Sequence, residues 1–222
     1  MKAREEIRAL ANKKIAQHSL RFFKTDKGEY GHGDLFLGVR APQIRLIAKK
    51  HIDISITDMK TLIQSKYHEE RFLGLIIIVN KYAKTKDKKN QNQLYKIYVS
   101  SFKYINNWNL VDVTCPHVTG KHLIDKDRTI LYKWAKSEDL WTKRIAMVST
   151  FSFIRKNDLE DTFKIAEILL QDKHDLIHKA VGWMLREAGK RDIKKEEAFL
   201  KKHYKTMPRT MLRYSIEKFP ET

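Results

Sequence analysis

The chain has 222 residues, enough for one large domain or two small ones. Forty-five Lys and Arg against 27 Asp and Glu give a formal net charge of +18, which points to an anionic polymer as partner, nucleic acid before all others. The basic residues are spread along the chain, which disfavours a membrane-surface role, and one cysteine, Cys115, excludes an internal disulfide or a multi-cysteine metal site and fits a reducing compartment.

The start, MKAREEIRAL, carries two Glu and no apolar core, so it does not read as a signal peptide. REEIRALANKKIAQHSLRFF follows with Ile7, Leu10, Ala11 and Ile15 on one helical stripe. Five of the twelve Pro and Gly residues cluster in the loop KGEYGHGDLFLGVRAP, 27–42. Pro42 suits the first turn of a helix running to about Lys50, and a further helix is expected over about 57–66. RFLGLIIIVNKYA is apolar almost all round and predicts a central buried helix; its helical neighbours leave a strand there without partners. Three starts follow: Ser137 ahead of Glu138-Asp139, Asn157-Asp158 ahead of Glu160-Asp161, and Asp172 ahead of a run to Ala188. Gly189 before Lys190-Arg191 reads as a helix stop.

No apolar run approaches the ~18 residues a bilayer span needs. The expected fold is all-α, about ten to twelve helices in one domain over 1–222. Helix pairs recurring at roughly 35–45 residues suggest an α-solenoid of HEAT-like repeats with a basic concave face, a globular α-bundle being the other possibility. The protein is expected to be soluble, monomeric and cytoplasmic, nucleoid-associated if bacterial.

Four segments could carry chemistry. In NNWNLVDVTCP, Trp108 and Asp112 are four apart, on one face of a helix. LWTKRIAMVS holds Arg144, AVGWMLREAGKR holds Trp183 and Arg186 three apart, and the glycine-rich loop holds Tyr30 and Arg40. Each also has a purely structural reading. The tryptophans can be core, Asp112 a helix cap, Arg144 a side chain snorkelling at a core edge, and Arg186 a surface ion-pair partner. His174 and His178 are four apart, but no further metal ligands are evident, so no metal site is expected. Cys115 has no base beside it and reads as a small buried residue. There is no phosphate loop and no dinucleotide fingerprint.

Taken together, FLGVRAPQIR (36–45), NWNLVD (107–112), LWTKRIAMVS (140–149) and AVGWMLREAGK (180–190), in that order, resemble the AlkD-type DNA alkylation repair glycosylases, which are built from HEAT-like repeats. The similarity covers most of the chain. It implies excision of cationic N3- or N7-alkylated purines, such as 3-methyladenine and 7-methylguanine, from duplex DNA in base excision repair, with no cofactor. It also implies recognition without full flipping of the base into a pocket. By motif, Asp112 matches the catalytic carboxylate, Trp108 and Trp183 the aromatic residues at the lesion's deoxyribose and backbone, and Arg144 the arginine supporting the site. Arg186 matches a DNA-contact segment that continues into Lys190 and Arg191; Tyr30 and Arg40 are further expected DNA contacts. The family also contains non-catalytic members that bind branched or distorted DNA, and that is the alternative reading. A protein-binding helical scaffold is a third, which the charge makes weaker.

The implied chemistry suits these residues. An alkylated purine already carries positive charge and leaves as a neutral base, so neither a strong general acid nor an activated nucleophile is required. A fixed carboxylate stabilises the cation developing on the sugar and can orient a water. Indole faces favour a cationic sugar.

Overall fold

The computed structural model describes residues 1–219, which are helical apart from turns, loops and one isolated bridge between Leu35 and Tyr67. Twelve helices among them have seven or more residues, in line with the ten to twelve expected. The chain divides into two compact units, Met1–Leu110 and the remainder from Val111. None of the described helices is long and apolar enough to cross a membrane.

In the first unit, the expected N-terminal stripe is interrupted. It forms α1 (Lys2–Ala9) and α2 (Lys13–Phe22). Asn12 makes the break: its side chain accepts from Ile15 N–H at 3.1 Å, and its own N–H donates to the Leu37 carbonyl at 2.9 Å. Ile7 is buried, while Leu10 and Ala11, expected on the same stripe, are exposed. α3 (Ala41–Lys50) carries Pro42 in its first turn, as expected. α4 (Ile56–Ile63) is capped by Ser55 and stops three residues short of 66.

α5 (His68–Lys84) is the central helix that the apolar pattern predicts: every residue from His68 to Ile78 is buried. It packs against α3, α4 and α6 (Lys88–Ser100). Each fully buried aliphatic side chain contributes ~1.5–3 kcal/mol. The charged first turns of α5 are buried as well, and all find partners. Glu70 receives Arg4 and Arg8 of α1 at 3.0 and 2.6 Å. Glu69 turns toward the glycine-rich loop, accepting the backbone N–H groups of Leu37, Gly38 and Val39 at 2.9, 2.8 and 3.3 Å. One carboxylate thereby satisfies three donors of a segment that has almost no ladder of its own. Gly38 has φ +81°, and a Cβ there would lie 2.1 Å from the Asn12 carbonyl oxygen. The unit ends in α7 (Trp108–Asp112), which runs across the division.

In the second unit, a 3-10 turn over Cys115–His117 leads into α8 (Thr119–Leu123), α9 (Thr129–Ala135), α10 (Leu140–Ser149), α11 (Phe151–Ile154), α12 (Glu160–Leu169), α13 (Asp175–Gly189), α14 (Ile193–His203) and α15 (Arg209–Ile216). α13 is central, packing on α10, α12, α14 and α15. All three expected starts lead helices, but their caps are displaced. Asp139 rather than Ser137 caps α10, accepting from Thr142 N–H at 2.7 Å. α12 has no side-chain cap, and Asp158 is drawn away to Arg128 at 2.6 Å. His174 caps α13 through Nδ1, and Asp172 sits a step earlier, accepting from His174 N–H. The stop at Gly189 holds, for a packing reason: a Cβ there would lie 1.5 Å from Glu196 Oε2.

Candidate active site

Trp108 and Asp112 are the first and last residues of α7, one turn apart, and each is anchored within its own unit. Asp112 is not a helix N-cap. Arg144 on α10 grips it with both prongs, Nε donating to Oδ1 and Nη2 to Oδ2, each at 2.8 Å. The third guanidinium nitrogen, Nη1, donates to the Leu176 carbonyl. This is the planar two-point geometry that Lys cannot reproduce. Arg144 is therefore no snorkelling side chain: its side chain is 6% exposed, against 16% for Asp112. The charge is buried on the arginine's side and opens on the carboxylate's side. Each carboxylate oxygen has a second lone-pair direction left for an approaching cation or water. Cys115 is fully buried; burial pushes its thiol well above the usual range and the Asp112 charge adds to this, so it is not a nucleophile.

Trp108 is half-buried, its ring 5.8 Å from those of both Phe22 and Phe23. Phe23 lies close to Phe36 and His68, at 5.2 and 4.9 Å between ring centres. The segment leading into Trp108 is held by a polar network absent from the sequence reading. Arg71 Nη2 donates to Asp34 and to Asn106, both at 2.8 Å, and Asn106 donates to Asp34 at 2.7 Å. His68 Nδ1 faces Asp34 at 3.3 Å, and the Asn109 amide nitrogen faces His68 Nε2 at 3.0 Å. Burial would raise the Asp34 carboxyl, but its hydrogen bond to His68, the Arg71 charge and Asn106 together hold it below its ordinary value. Burial pushes His68 down from the usual imidazole range, so it is neutral. Its one proton then sits on Nδ1 toward Asp34, and Nε2 accepts from Asn109. The visible signal for this network was the density of asparagine around Trp108.

Trp183 on α13 is half-buried, its ring 5.6 Å from that of Phe151 and tilted by 51°. The Arg155 guanidinium lies 4.2 Å from the Phe151 ring centre. Arg186 is engaged by acids, donating to Glu217 and lying 3.6 Å from Glu187, and Lys190 reaches Glu187 at 2.7 Å. Arg191 is exposed. Arg40 is exposed at the start of α3, where its backbone N–H donates to Gln43, and Tyr30 is half-buried in the glycine-rich loop. The structure thus joins Asp112 to Arg144 directly and gathers Arg186 and Lys190 around Glu187. His174 spends Nδ1 on its cap, and His178 Nε2 lies 2.5 Å from the Asp172 carbonyl. Among the described residues no group of three or more His, Cys, Asp or Glu is placed to hold a metal ion.

The family model described as "DNA alkylation repair enzyme" matches residues 3–219. The chain belongs to this family. Among solved structures, a predicted DNA alkylation repair enzyme from Enterococcus faecalis aligns with a TM-score of 0.75 at 15% identity, over 96% of this chain and 98% of that one, a likeness of fold. AlkD2 from Streptococcus mutans aligns at 18% identity with a TM-score of 0.46, over 98% of this chain and 95% of that one. A comparison with curated proteins finds no match. Membership gives this DNA alkylation repair protein the all-α helical-repeat architecture of the family and a role in alkylation repair.

Proposed function

We propose that the protein is a monofunctional DNA glycosylase that excises cationic N3- or N7-alkylated purines from duplex DNA, acting as a monomer without a cofactor. The observation that carries this reading is the Asp112–Arg144 fork: a part-exposed carboxylate fixed from behind by a buried arginine. The departing base needs no proton, because alkylation has already made it a good leaving group. The demand falls on the sugar, whose anomeric carbon becomes cationic as the bond opens. Asp112 stabilises that charge without having to reorient, since both of its oxygens are already held. Arg144 is a positioning residue that also offsets the repulsion between Asp112 and nearby phosphates. Trp108 and Trp183 pack against deoxyribose and backbone. Arg186, Lys190, Arg191, Arg40 and Tyr30 contact DNA, with Arg186 exchanging Glu217 for phosphate.

The test is release of free 3-methyladenine and 7-methylguanine from methylated duplex, comparing the native chain with Asp112→Asn. The expected result is release by the native chain and none by the variant, with duplex affinity kept or raised. Unchanged release by a folded Asp112→Asn variant would remove Asp112 from the chemistry. No release by the native chain, alongside tight duplex binding, would instead favour a non-catalytic binder of distorted DNA. With about five phosphate contacts, binding should fall with salt at a log–log slope near −4 to −5; a flat response would contradict both DNA readings.

A further inference from the structure

A hollow of about 420 Å³ lies in the first unit, where the end of α5 meets α6 and the link between α3 and α4. Ile52, Ile56 and Leu94 form its floor, Leu94 buried and the two isoleucines half-buried. The rim is polar and mixed. Lys81 and Lys84 supply two ammonium groups, Asp53 one carboxylate, and Asn90 and Gln93 two side-chain amides. The ion pair across it, Lys84 to Asp53 at 3.7 Å, joins side chains that are 66% and 87% exposed, so either partner is easily exchanged for another. Lys81 has no ion-pair partner among the described residues, and neither do Lys86, Lys88 and Lys89, which continue the positive charge along the turn into α6. Asp87, the acid among them, is committed to the N-cap of α6, accepting from the Lys89 and Asn90 N–H groups. α5 has 17 residues, about 25 Å from end to end, so the hollow lies a full helix length from His68 and the rings that reach Trp108.

An aliphatic floor calls for an apolar knob to fill it. The outside of a DNA duplex is phosphate and sugar, which offers anions and acceptors but no such knob, and it would bring like charge to Asp53. A peptide supplies each group that the rim can pair. Main-chain N–H groups suit Asp53, main-chain carbonyls suit the Asn90 and Gln93 amides, carboxylates suit the lysines, and one side chain fills the floor. The volume lies within the ~300–1,000 Å³ of binding pockets and accommodates a side chain with its flanking main chain. We propose that this hollow docks an acidic peptide segment of a partner protein, with one leucine or phenylalanine seated on Ile52, Ile56 and Leu94 and its flanking carboxylates on Lys81 and Lys84. Because the hollow is at the far end of α5, the segment can be held while the face around Trp108 stays free. The docking does not depend on base excision.

The test is NMR titration of the full chain with a capped peptide of one leucine between two pairs of aspartates, and with its phenylalanine counterpart, following the methyls of Ile52, Ile56 and Leu94. Saturable shifts at these methyls are expected with at least one of the two. Serine in place of the apolar residue should weaken binding at least about tenfold, the loss of one buried apolar side chain. Lys81→Glu together with Lys84→Glu should weaken it about tenfold, the scale of two exposed ion pairs turned into repulsions. Asn90→Trp, which fills the hollow from an exposed position, should abolish it. Duplex DNA affinity should fall far less than peptide affinity in each variant. Shifts with neither peptide, equal binding of the serine peptide, or undiminished binding by Asn90→Trp would each overturn the proposal. So would a loss of duplex affinity in the double lysine variant that matches its loss of peptide affinity, because the rim would then be DNA surface.

Discussion

Removing Arg144 and Asp112 singly and together measures how firmly the carboxylate is held. Arg144→Met deletes two charge-assisted bonds to Asp112 and one to the Leu176 carbonyl, leaving a largely buried carboxylate unpaired. Breaking a buried pair from one side costs ~3–5 kcal/mol, and the 16% exposure of Asp112 places this case at the lower end, about 3 kcal/mol. Asp112→Asn keeps one acceptor but turns an amide NH₂ toward the guanidinium, a loss of about 2 kcal/mol. The double variant has no unpaired charge, so it should recover about 2 kcal/mol relative to the sum of the singles, within the range for residues in direct contact. At roughly 2–4 °C per kcal/mol for a chain of this size, Arg144→Met should melt about 6–12 °C lower. Calorimetry and urea titration of the four proteins give the cycle. Strict additivity would show that the two side chains do not depend on each other, and the picture of a carboxylate fixed from behind would fall.

Gly38→Ala should be among the most destabilising small substitutions in the chain, by ~3 kcal/mol or more, because it combines φ +81° with a 2.1 Å approach to the Asn12 carbonyl; an unchanged melting temperature would contradict the loop geometry. Glu69→Gln leaves one acceptor for three N–H groups and should cost about 2 kcal/mol, with faster amide exchange confined first to Leu37–Val39. Glu196 is buried, and burial pushes its carboxyl up to about 8. Its folded-state value lies above its unfolded one, so the folded chain holds the extra proton. That contribution is complete below about pH 4.5 and is lost as pH rises toward 8. Glu196→Gln should flatten the fall in stability over that window and be the more stable protein at pH 8; parallel pH profiles would refute the assignment.

The all-α class, the central α5 and the end of α13 were legible because each rests on a local pattern: an apolar circumference, or a glycine before two cations. Contacts that join distant segments were not. The break at Asn12 depends on Leu37, and the cap of α10 fell on Asp139 because Ser137 folds back onto the Asp139 N–H. The Asp112–Arg144 fork links positions 32 apart, so spacing suggested each residue separately and only the family resemblance put them side by side. The rings around Trp108 come from α2, the glycine-rich loop and α5, and no periodicity relates them.

The glycine-rich loop is tied down at its far end and is otherwise self-contained. Asp34 is clamped by Arg71, His68 and Asn106, and Leu37 to Val39 are clamped by Glu69, while the stretch from Lys24 to Gly33 bonds mainly within itself, as in Gly31 N–H to the Lys24 carbonyl at 3.0 Å. Length in that stretch is therefore decoupled from the packing of α3 and α5. An insertion there should leave the helices undisturbed while displacing Tyr30, and so would separate folding from the DNA contact proposed for that residue.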